Sequence, residues 1–161
     1  MFHPKKVVLL GHFGVGKTSL LRRFVDEAFS EDYLVTVGVH VKKKEVHIDE
    51  QQLTLIVWDI EGNTSIDKVR DSYLIGTHGF VYVFDISRPE TYEKLNDEFN
   101  FLKQYFPKVP VCLVGNKADL FNTEFNESFF KNDSFKNCHF TSAKSGNNVE
   151  VLFSDIAKKM L

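Results

Sequence analysis

The stretch Lys5–Ser19, KKVVLLGHFGVGKTS, decides how the rest of the chain is interpreted. It opens with a short apolar run, continues with the pattern G-x-x-x-x-G-K-T, and leads into an apolar pattern of helical period. A strand, a tight loop and a helix in that order offer an anion converging backbone N–H groups and the positive end of a helix. The stretch therefore predicts a polyphosphate site, in which Lys17 contacts the β- and γ-phosphates and the Thr18 hydroxyl ligates Mg²⁺. A glycine-rich turn that binds nothing is the competing interpretation.

Length and composition indicate one domain, residues 1–161, large enough for a substantial core. The formal net charge of −2 gives no general attraction to nucleic acid or to an anionic membrane. No apolar run is long enough to span a bilayer, and the first residues, MFHPKK, do not form a signal peptide. Cys112 and Cys138 are typical of reduced core residues in a cytoplasmic protein, and no lipid anchor is visible in this chain.

Hydrophobic patterns predict six strands that alternate with helices. The predicted strands are Lys5–Leu10, Val39–Ile48, Leu53–Asp59, Phe80–Ile86, Val109–Val114 and Cys138–Thr141. Predicted helices run from the glycine-rich loop to about Ala28, to near Leu74, from Pro89 to about Phe106, around Glu124–Phe130 and from Asn148 to Met160. Residues 29–38 are expected to form a loop, and residues 49–52 the tip of a hairpin. This order predicts an α/β fold with a mostly parallel six-stranded sheet, one antiparallel edge strand and helices on both faces.

Asp59 ends one of the apolar strands and is followed by Ile-Glu-Gly62. Ligands of such sheets sit at the carboxyl ends of the strands, where a carboxylate is well placed to hold Mg²⁺ directly or through water. The N–H group of Gly62 can then meet a γ-phosphate. An ordinary strand-end aspartate before a turn is the alternative.

The segments Asn116–Asp119 and Thr141–Lys144 also follow predicted strands. Asp119 presents a carboxylate to the N1–H and 2-amino group of guanine, a pair of donors that adenine lacks, while Lys117 lays its stem along the base. Asn116 is expected to tie this segment to the glycine-rich loop. In the second segment, the Ala143 N–H is expected to meet the base oxygen, with Lys144 stacked beside it. Polar helix-entry segments that bind nothing are the competing interpretation.

With these segments in order, nearly the whole chain resembles the Ras superfamily of small GTPases, and within it the Ras and Rab-like branches. The resemblance rests on GHFGVGKT at Gly11–Thr18, the Thr36-Val-Gly38 loop, WDIEG at Trp58–Gly62, NKAD at Asn116–Asp119 and TSAK at Thr141–Lys144. It implies a P-loop NTPase G domain that binds GTP or GDP with Mg²⁺ and hydrolyses GTP. The implied nucleotide-binding residues are Gly14, Val15, Gly16, Lys17, Thr18, Ser19, Phe29, Tyr33, Thr36, Gly62, Asn116, Lys117, Asp119, Ser142, Ala143 and Lys144.

The resemblance also implies two switch segments, at about residues 30–38 and 62–72, that respond to the γ-phosphate. Phe29 matches an aromatic that packs edge-on against guanine, Tyr33 one that closes over the γ-phosphate, and Thr36 the threonine that ligates Mg²⁺ in the triphosphate state. Effectors, exchange factors or GTPase-activating proteins are expected to bind through these segments. The implied metal ligands are Thr18, Thr36 and Asp59, and the implied catalytic residues are Lys17, Thr36, Glu61, Gly62 and Asn63.

Several positions depart from the family pattern. Asn63 replaces the usual glutamine that orients the attacking water, Glu61 replaces a usual alanine, and Phe13 stands where a small residue is frequent. Because catalysis in this class depends mostly on positioning, we expect slow intrinsic hydrolysis. Glu61 would either repel the triphosphate or take over the orientation of water.

Two other functions stay open. The same departures suit a non-catalytic GTP-binding interaction module, a pseudo-GTPase whose partner reads one nucleotide state. An ATP-dependent phosphotransferase would share the glycine-rich loop, but Asn116 and Asp119 present guanine chemistry and argue against it. The six histidines show no metal-ligand spacing, and the run Lys42–Lys44 is interpreted as a solvated strand edge.

Overall fold

The computed structural model describes residues 3–25, 34–36, 38–61, 66–120 and 137–161, with the backbone alone at 34–36. Within these ranges one sheet has the strand order β2-β3-β4-β1-β5-β6-β7. The strands are β1 Lys5–Leu10, β2 Leu34–Thr36, β3 Val39–Ile48, β4 Gln51–Ile60, β5 Gly79–Asp85, β6 Val111–Asn116 and β7 His139–Phe140. Neighbouring strands pair in parallel except at β2–β3 and β3–β4, which are antiparallel.

The predicted fold class, a mostly parallel sheet with one reversed strand and helices, is confirmed. The structure adds a seventh strand, β2, inside the segment that the sequence assigned to a loop. The reversed strand β3 therefore lies one place in from the edge rather than at the edge. Three residues are too few to show the alternation by which a strand is recognised.

The helices are α1 Lys17–Val25, α2 Asp71–Leu74, α3 Leu95–Tyr105 and α4 Val149–Lys159, with 3₁₀ turns at Ile66–Lys68, Pro89–Thr91 and Ala118–Leu120. They divide the core between the two faces of the sheet. Val7 and Leu9 of β1 pack with α1 and α4, whereas Val8 and Leu10 pack with α2 and α3. This alternation follows from the two-residue period of a strand. No helix in the described ranges is both long enough and apolar enough to cross a membrane.

The predicted helix from Pro89 to Phe106 is wrong in its first turn, because Pro89–Thr91 is a 3₁₀ turn and α3 begins at Leu95. The Thr91 hydroxyl accepts the Asp85 N–H at 2.9 Å and lies 3.0 Å from the Asp85 carbonyl oxygen. These bonds attach the turn to the end of β5, and the α-helix begins only after it. The predicted helix at 124–130 and the end of the first helix at Ala28 lie outside the described residues.

The β3–β4 hairpin turns more tightly than predicted. Ile48 pairs with Gln51, so the tip is Asp49-Glu50 rather than residues 49–52, and Asp49 has a φ of +54°. Aspartate tolerates this left-handed conformation better than most residues.

The interpretation of Lys42–Lys44 as a solvated edge is wrong for two of its three residues. Lys42 is 3% exposed, and the Lys44 ammonium lies 4.0 Å from the centre of the Phe24 ring and 3.0 Å from Glu150 Oε1. Long lysine stems can cover apolar surface while the charged end finds a partner. Lys43 alone of the run is exposed.

Candidate functional site

Two adjoining cavities lie at the edge of the sheet where β1, β4 and β6 end. One has a volume of about 450 Å³ and is lined by Lys17, Thr18 and Asp59, among others. The other has a volume of about 380 Å³ and is lined by Asn116, Asp119 and Ala143, among others. Both are lined by Gly16, Ser19 and Lys117, so they form one continuous cleft.

The glycine-rich loop shapes the floor of the larger cavity. Gly16 has a φ of +99°, and a Cβ atom there would lie 2.3 Å from Asn116 Nδ2, so both backbone and space require glycine. Gly14 has a φ of +77°. Val15 is buried in the core, so only its backbone can contact a ligand. From Gly14 to Gly16 the loop thus offers main chain rather than side chains to the cavity.

Lys17, the first residue of α1, is a cation held almost out of water. It is 6% exposed, and its ammonium donates to the carbonyls of Gly11 at 2.9 Å and His12 at 3.1 Å. Burial lowers the pKa of Lys17 to about 8, although the nearby Asp59 carboxylate opposes this shift. A polyanion in the cavity would favour the charged form.

The two predicted metal ligands outside the switch segments are brought together. Thr18 Oγ1 donates to Asp59 Oδ2 at 2.5 Å, and Asp59 is 2% exposed at the end of β4. A hydroxyl and a carboxylate are oxygen donors of the kind that Mg²⁺ prefers, so this part of the site fits that ion. The third predicted ligand, Thr36, lies in β2, where only the backbone is described.

Asn116 joins the two cavities, as the sequence predicted. It is 1% exposed, and its Nδ2 donates to the Val15 carbonyl at 3.0 Å. Its Oδ1 accepts from Thr141 Oγ1 at 3.1 Å and from the Ala143 N–H at 3.3 Å. One amide therefore connects the glycine-rich loop with the segment that follows β7.

Asp119 lines the smaller cavity, and the buried Ser142 lies directly beside it. Ser142 Oγ donates to Asp119 Oδ1 at 3.0 Å, which orients the carboxylate and leaves its side chain exposed to the cavity. Arg23 of α1 supports the other wall, because its Nε donates to the Ala143 carbonyl at 2.9 Å. Lys144 lines the same cavity, and Arg23 Nη2 bonds to its carbonyl.

Comparison with known proteins agrees with this geometry. A protein-family model described as the Ras family matches residues 6–161. The chain belongs to the Ras family. It is 33% identical over 162 residues to the Ras-related protein Rab-18-B of Danio rerio, covering 97% of this chain and 78% of that protein. It is 35% identical over 164 residues to the Ras-related protein Rab-7b of Paramecium octaurelia, covering 95% of this chain and 79% of that protein.

This Ras-family protein has a buried carboxylate in the site that our sequence reasoning missed. Asp85, the last residue of β5, is 0% exposed, and its Oδ2 lies 2.8 Å from the Lys117 ammonium. No hydrogen-bond donor within the described ranges is well aligned with Oδ2, so its contact with Lys117 acts mainly through charge. Burial by itself would raise the pKa of Asp85, but Lys117 and the Ser87 donors outweigh it and lower that pKa. The sequence did contain a signal for Asp85, because it ends an apolar strand in the same way as Asp59.

Two cations hold consecutive carbonyls of the glycine-rich loop. The Arg88 Nη1 donates to the Phe13 carbonyl at 3.1 Å, and the Lys117 ammonium donates to the Gly14 carbonyl at 3.1 Å. Glu90 Oε1 in turn accepts from Arg88 Nε at 3.1 Å. Arg88 and Lys117 lie just after β5 and β6, so residues at the ends of these strands help to hold the conformation of the loop. Nothing in the spacing of the sequence signals the role of Arg88.

Burial, followed by the charges of Lys17 and Arg88, lowers the pKa of His12 in the same loop. The imidazole therefore stays neutral at neutral pH, and the loop gains no further cation there. In the described part of the chain, the cations that contact carbonyls of this loop are Lys17, Lys117 and Arg88.

Glu61 and Phe13, two departures from the family pattern, line the larger cavity together with Lys17. The Glu61 side chain is 69% exposed, and its Oε1 lies 4.0 Å from His40 Nε2. Phe13 is 80% exposed. Both residues therefore border the cavity that Lys17 and Asp59 also line. Four further predicted site residues lie outside the described residues, namely Phe29, Tyr33, Gly62 and Asn63.

Proposed function

We propose that this Ras-family protein is a guanine-nucleotide switch that hydrolyses GTP to GDP slowly. The observation that carries the proposal is the continuity of the cleft. One end of the cleft holds the buried Lys17 ammonium beside the Thr18 hydroxyl and the Asp59 carboxylate. The other end holds the Asp119 carboxylate. Asn116 bonds to the loops that form both ends. A nucleoside with a polyphosphate and a metal ion has this same order of chemical groups.

The smaller cavity supports a choice of guanine over adenine. Asp119 offers carboxylate oxygens, which only accept hydrogen bonds. Guanine has two N–H donors on the matching edge, whereas adenine would leave the carboxylate without this pair of partners on the base. Leaving a polar group unpaired in a binding site makes such discrimination steep. Lys117, held at both Gly14 and Asp85, would lie along the face of the base.

The larger cavity supports binding of the phosphates. Lys17 would contact the β- and γ-phosphates, and the N–H groups of the loop would share the remaining charge. Thr18 and Asp59 would hold Mg²⁺ directly or through water, with Thr36 as a further ligand. When bound, Mg²⁺ neutralises charge on the phosphate oxygens during transfer.

Hydrolysis would proceed by in-line attack of water on the γ-phosphorus, with Lys17 and the loop N–H groups stabilising the charge of the equatorial oxygens. The expected slowness rests on Asn63, whose side chain is one methylene shorter than glutamine. The position of Glu61 in the cavity supports the idea that its carboxylate affects the same step. If Glu61 orients the water, Glu61→Ala would abolish turnover, whereas a repelling Glu61 would give faster turnover when removed.

A non-catalytic GTP-binding module is favoured by one observation, the exposed Phe13 ring at the mouth of the larger cavity. This ring would obstruct an arginine supplied by a partner protein. Phosphate release, measured with and without cell extract, separates the two functions. If extract accelerates the release of phosphate, the result supports the switch. If bound GTP never becomes GDP, the result supports the non-catalytic module.

The nucleotide itself is tested by denaturing the purified protein and separating the released ligand by chromatography. We expect GDP or GTP. Lys17→Ala should lose the nucleotide, whereas Lys43→Ala, a change at an exposed lysine of β3, should keep it. Asp119→Asn should lose preference for guanine, and Asp49→Asn at the exposed hairpin tip should not. If both site variants kept full guanine-selective binding, the proposal would be wrong.

The proposed partners are effectors, exchange factors or activating proteins that contact residues of about 30–38 and 62–72 in a cytoplasmic setting. The closeness of the two segments supports this proposal, because the N–H of Glu61, the residue before the second segment, donates to the carbonyl of Gly38, the last residue of the first, at 2.9 Å. A change in one segment can thus reach the other along β3 and β4. Hydrogen exchange that is the same in both segments with GDP and with a non-hydrolysable GTP analogue would contradict this role.

A further inference from the structure

A cluster of metal-type ligand atoms lies between β6, β7 and α4, outside the two nucleotide cavities. Cys112 Sγ, His139 Nε2 and Asp155 Oδ2 all lie within 4.8 Å of one another. None of the three lines either cavity. This cluster takes no part in the function proposed above and needs another explanation.

The fold places the three residues together on one face of the sheet. Cys112 and Val114 are two residues apart in β6, so their side chains share a face, and His139 of β7 pairs with Val114. Helix α4, which carries Asp155, packs on that face. Cys112 is 3% exposed, whereas His139 and Asp155 are partly exposed. The cluster therefore has a buried sulfur and an open side toward solvent.

One oxygen atom of Asp155 contacts three neighbouring polar groups. Its Oδ2 lies 2.8 Å from His139 Nε2, 3.0 Å from the Lys159 ammonium and 3.5 Å from Cys112 Sγ. The same ammonium lies 3.8 Å from Cys112 Sγ. A positive charge thus already lies next to both the sulfur and the carboxylate, as the charge of a metal ion bound to both would.

We propose that Cys112, His139 and Asp155 bind Zn²⁺, with water as the fourth ligand. Thiolate, imidazole and carboxylate are the donors that zinc takes, whereas Mg²⁺ takes oxygen donors, so this site would not compete for the metal of the nucleotide. Zinc–ligand bonds of about 2.0–2.3 Å place neighbouring ligand atoms roughly 3.3–3.8 Å apart in a tetrahedron. The sulfur and the carboxylate oxygen are 3.5 Å apart, which is within that range. The imidazole nitrogen lies 2.8 Å from the carboxylate oxygen and must move away from it by about 0.5 Å.

Binding requires two changes that the structure allows. A Zn–S bond forms as the thiol proton leaves to solvent, and the Lys159 ammonium gives up its place. Lys159 lies in the last turn of α4 and is 45% exposed, so its side chain can turn into water. The bound ion would then clip the C-terminal part of the sheet to α4.

The test uses protein that carries its nucleotide and Mg²⁺. Co²⁺ is titrated in place of zinc, because a thiolate ligand gives Co²⁺ a charge-transfer absorption band, and Zn²⁺ is then added to displace it. We expect the band in the natural protein and its loss in Cys112→Ser. Cys138→Ser is the matched control and should keep the band, since Cys138 bonds to the Leu113 carbonyl and packs in the core on the opposite face of the sheet.

Further variants keep the proposal testable if Cys112→Ser does not fold. His139→Gln and Asp155→Asn, at partly exposed positions, should each weaken zinc binding by at least about tenfold. Lys159→Gln should strengthen it, because a competing cation is gone. The proposal is overturned if the natural protein gives no band, if His139→Gln and Asp155→Asn bind zinc unchanged, or if Lys159→Gln weakens binding. Nucleotide content, measured on the same samples, reports separately on the proposed switch.

Discussion

Replacing Asp85 by asparagine removes the negative charge from the ion pair that holds Lys117 in the site. The substitution keeps the shape of the side chain and the Oδ1 atom that accepts the Ser87 N–H at 2.9 Å. It places a neutral amide 2.8 Å from the Lys117 ammonium, where the carboxylate oxygen now lies. Lys117 keeps its bond to the Gly14 carbonyl, so the prediction concerns a loosened rather than a lost lysine.

The size of the effect follows from the burial of the two partners. Removing one member of a fully buried ion pair costs about 3–5 kcal/mol. The Lys117 side chain is 36% exposed, so water partly solvates its ammonium and the expected cost falls to about 1–2 kcal/mol. With tenfold for each 1.4 kcal/mol, GDP should dissociate roughly 5- to 30-fold faster from Asp85→Asn than from the natural protein.

The assay is the release of a fluorescent GDP analogue into excess unlabelled GDP. Asp49→Asn, the same change at the exposed hairpin tip, should leave the rate unchanged. Because the folded-state pKa of Asp85 is lowered, its contribution is complete at neutral pH and is lost only as the pH falls below about 4. If Asp85 acts through Lys117, Asp85→Asn should have little further effect in a Lys117→Ala background. A rate within twofold of the natural protein, or equal effects in both backgrounds, would refute the reasoning.

Three other predictions concern residues around the site. Asn63→Gln should raise the single-turnover rate of GTP hydrolysis, and an unchanged rate would show that residue 63 does not limit chemistry. Glu98 is 5% exposed and accepts the Ile66 N–H at 2.9 Å. Burial raises the pKa of Glu98 above its ordinary value of 4.5. The folded protein therefore loses stability as the pH rises above 4.5 and Glu98 becomes charged. Glu98→Gln should therefore raise Tm at neutral pH and have no advantage in acid, as a melting series over pH would show. Arg23→Gln, which removes the bonds from Arg23 to the Ala143 and Lys144 carbonyls, should speed GDP release by roughly fivefold or more, from about 1 kcal/mol for each hydrogen bond lost.

The sequence predicted the parts of the site that are continuous in the chain or that end a strand. The glycine-rich loop holds its strand, turn and helix start within one stretch, so the pattern carries the geometry. Asp59 and Asn116 were found because polar residues interrupt apolar runs at the carboxyl ends of parallel strands. Asp85 obeys the same rule and was missed because the pattern FVYVFDI was used only to define a strand.

Contacts between distant segments could not be predicted in this way. Arg88 and Phe13 are 75 residues apart, and they meet because β5 pairs beside β1. The absence of metal-ligand spacing among the histidines was a sound observation, yet His139 lies beside a cysteine of another strand and an aspartate of a helix. Strand β2 was missed because its pairing with β3 depends on neighbours rather than on its own three residues.

The side-chain amide of Asn116 connects the two halves of the cleft, so a movement of one half affects the other. The Asn116 side chain bonds to Val15 of the glycine-rich loop and also to Thr141 and Ala143. A movement of the loop that displaces this side chain therefore also withdraws a partner from Thr141 and Ala143. We therefore expect departure of the nucleotide to be a single concerted opening, with no long-lived species attached by the purine alone or by the phosphates alone. A release trace with two well-separated phases would speak against that coupling.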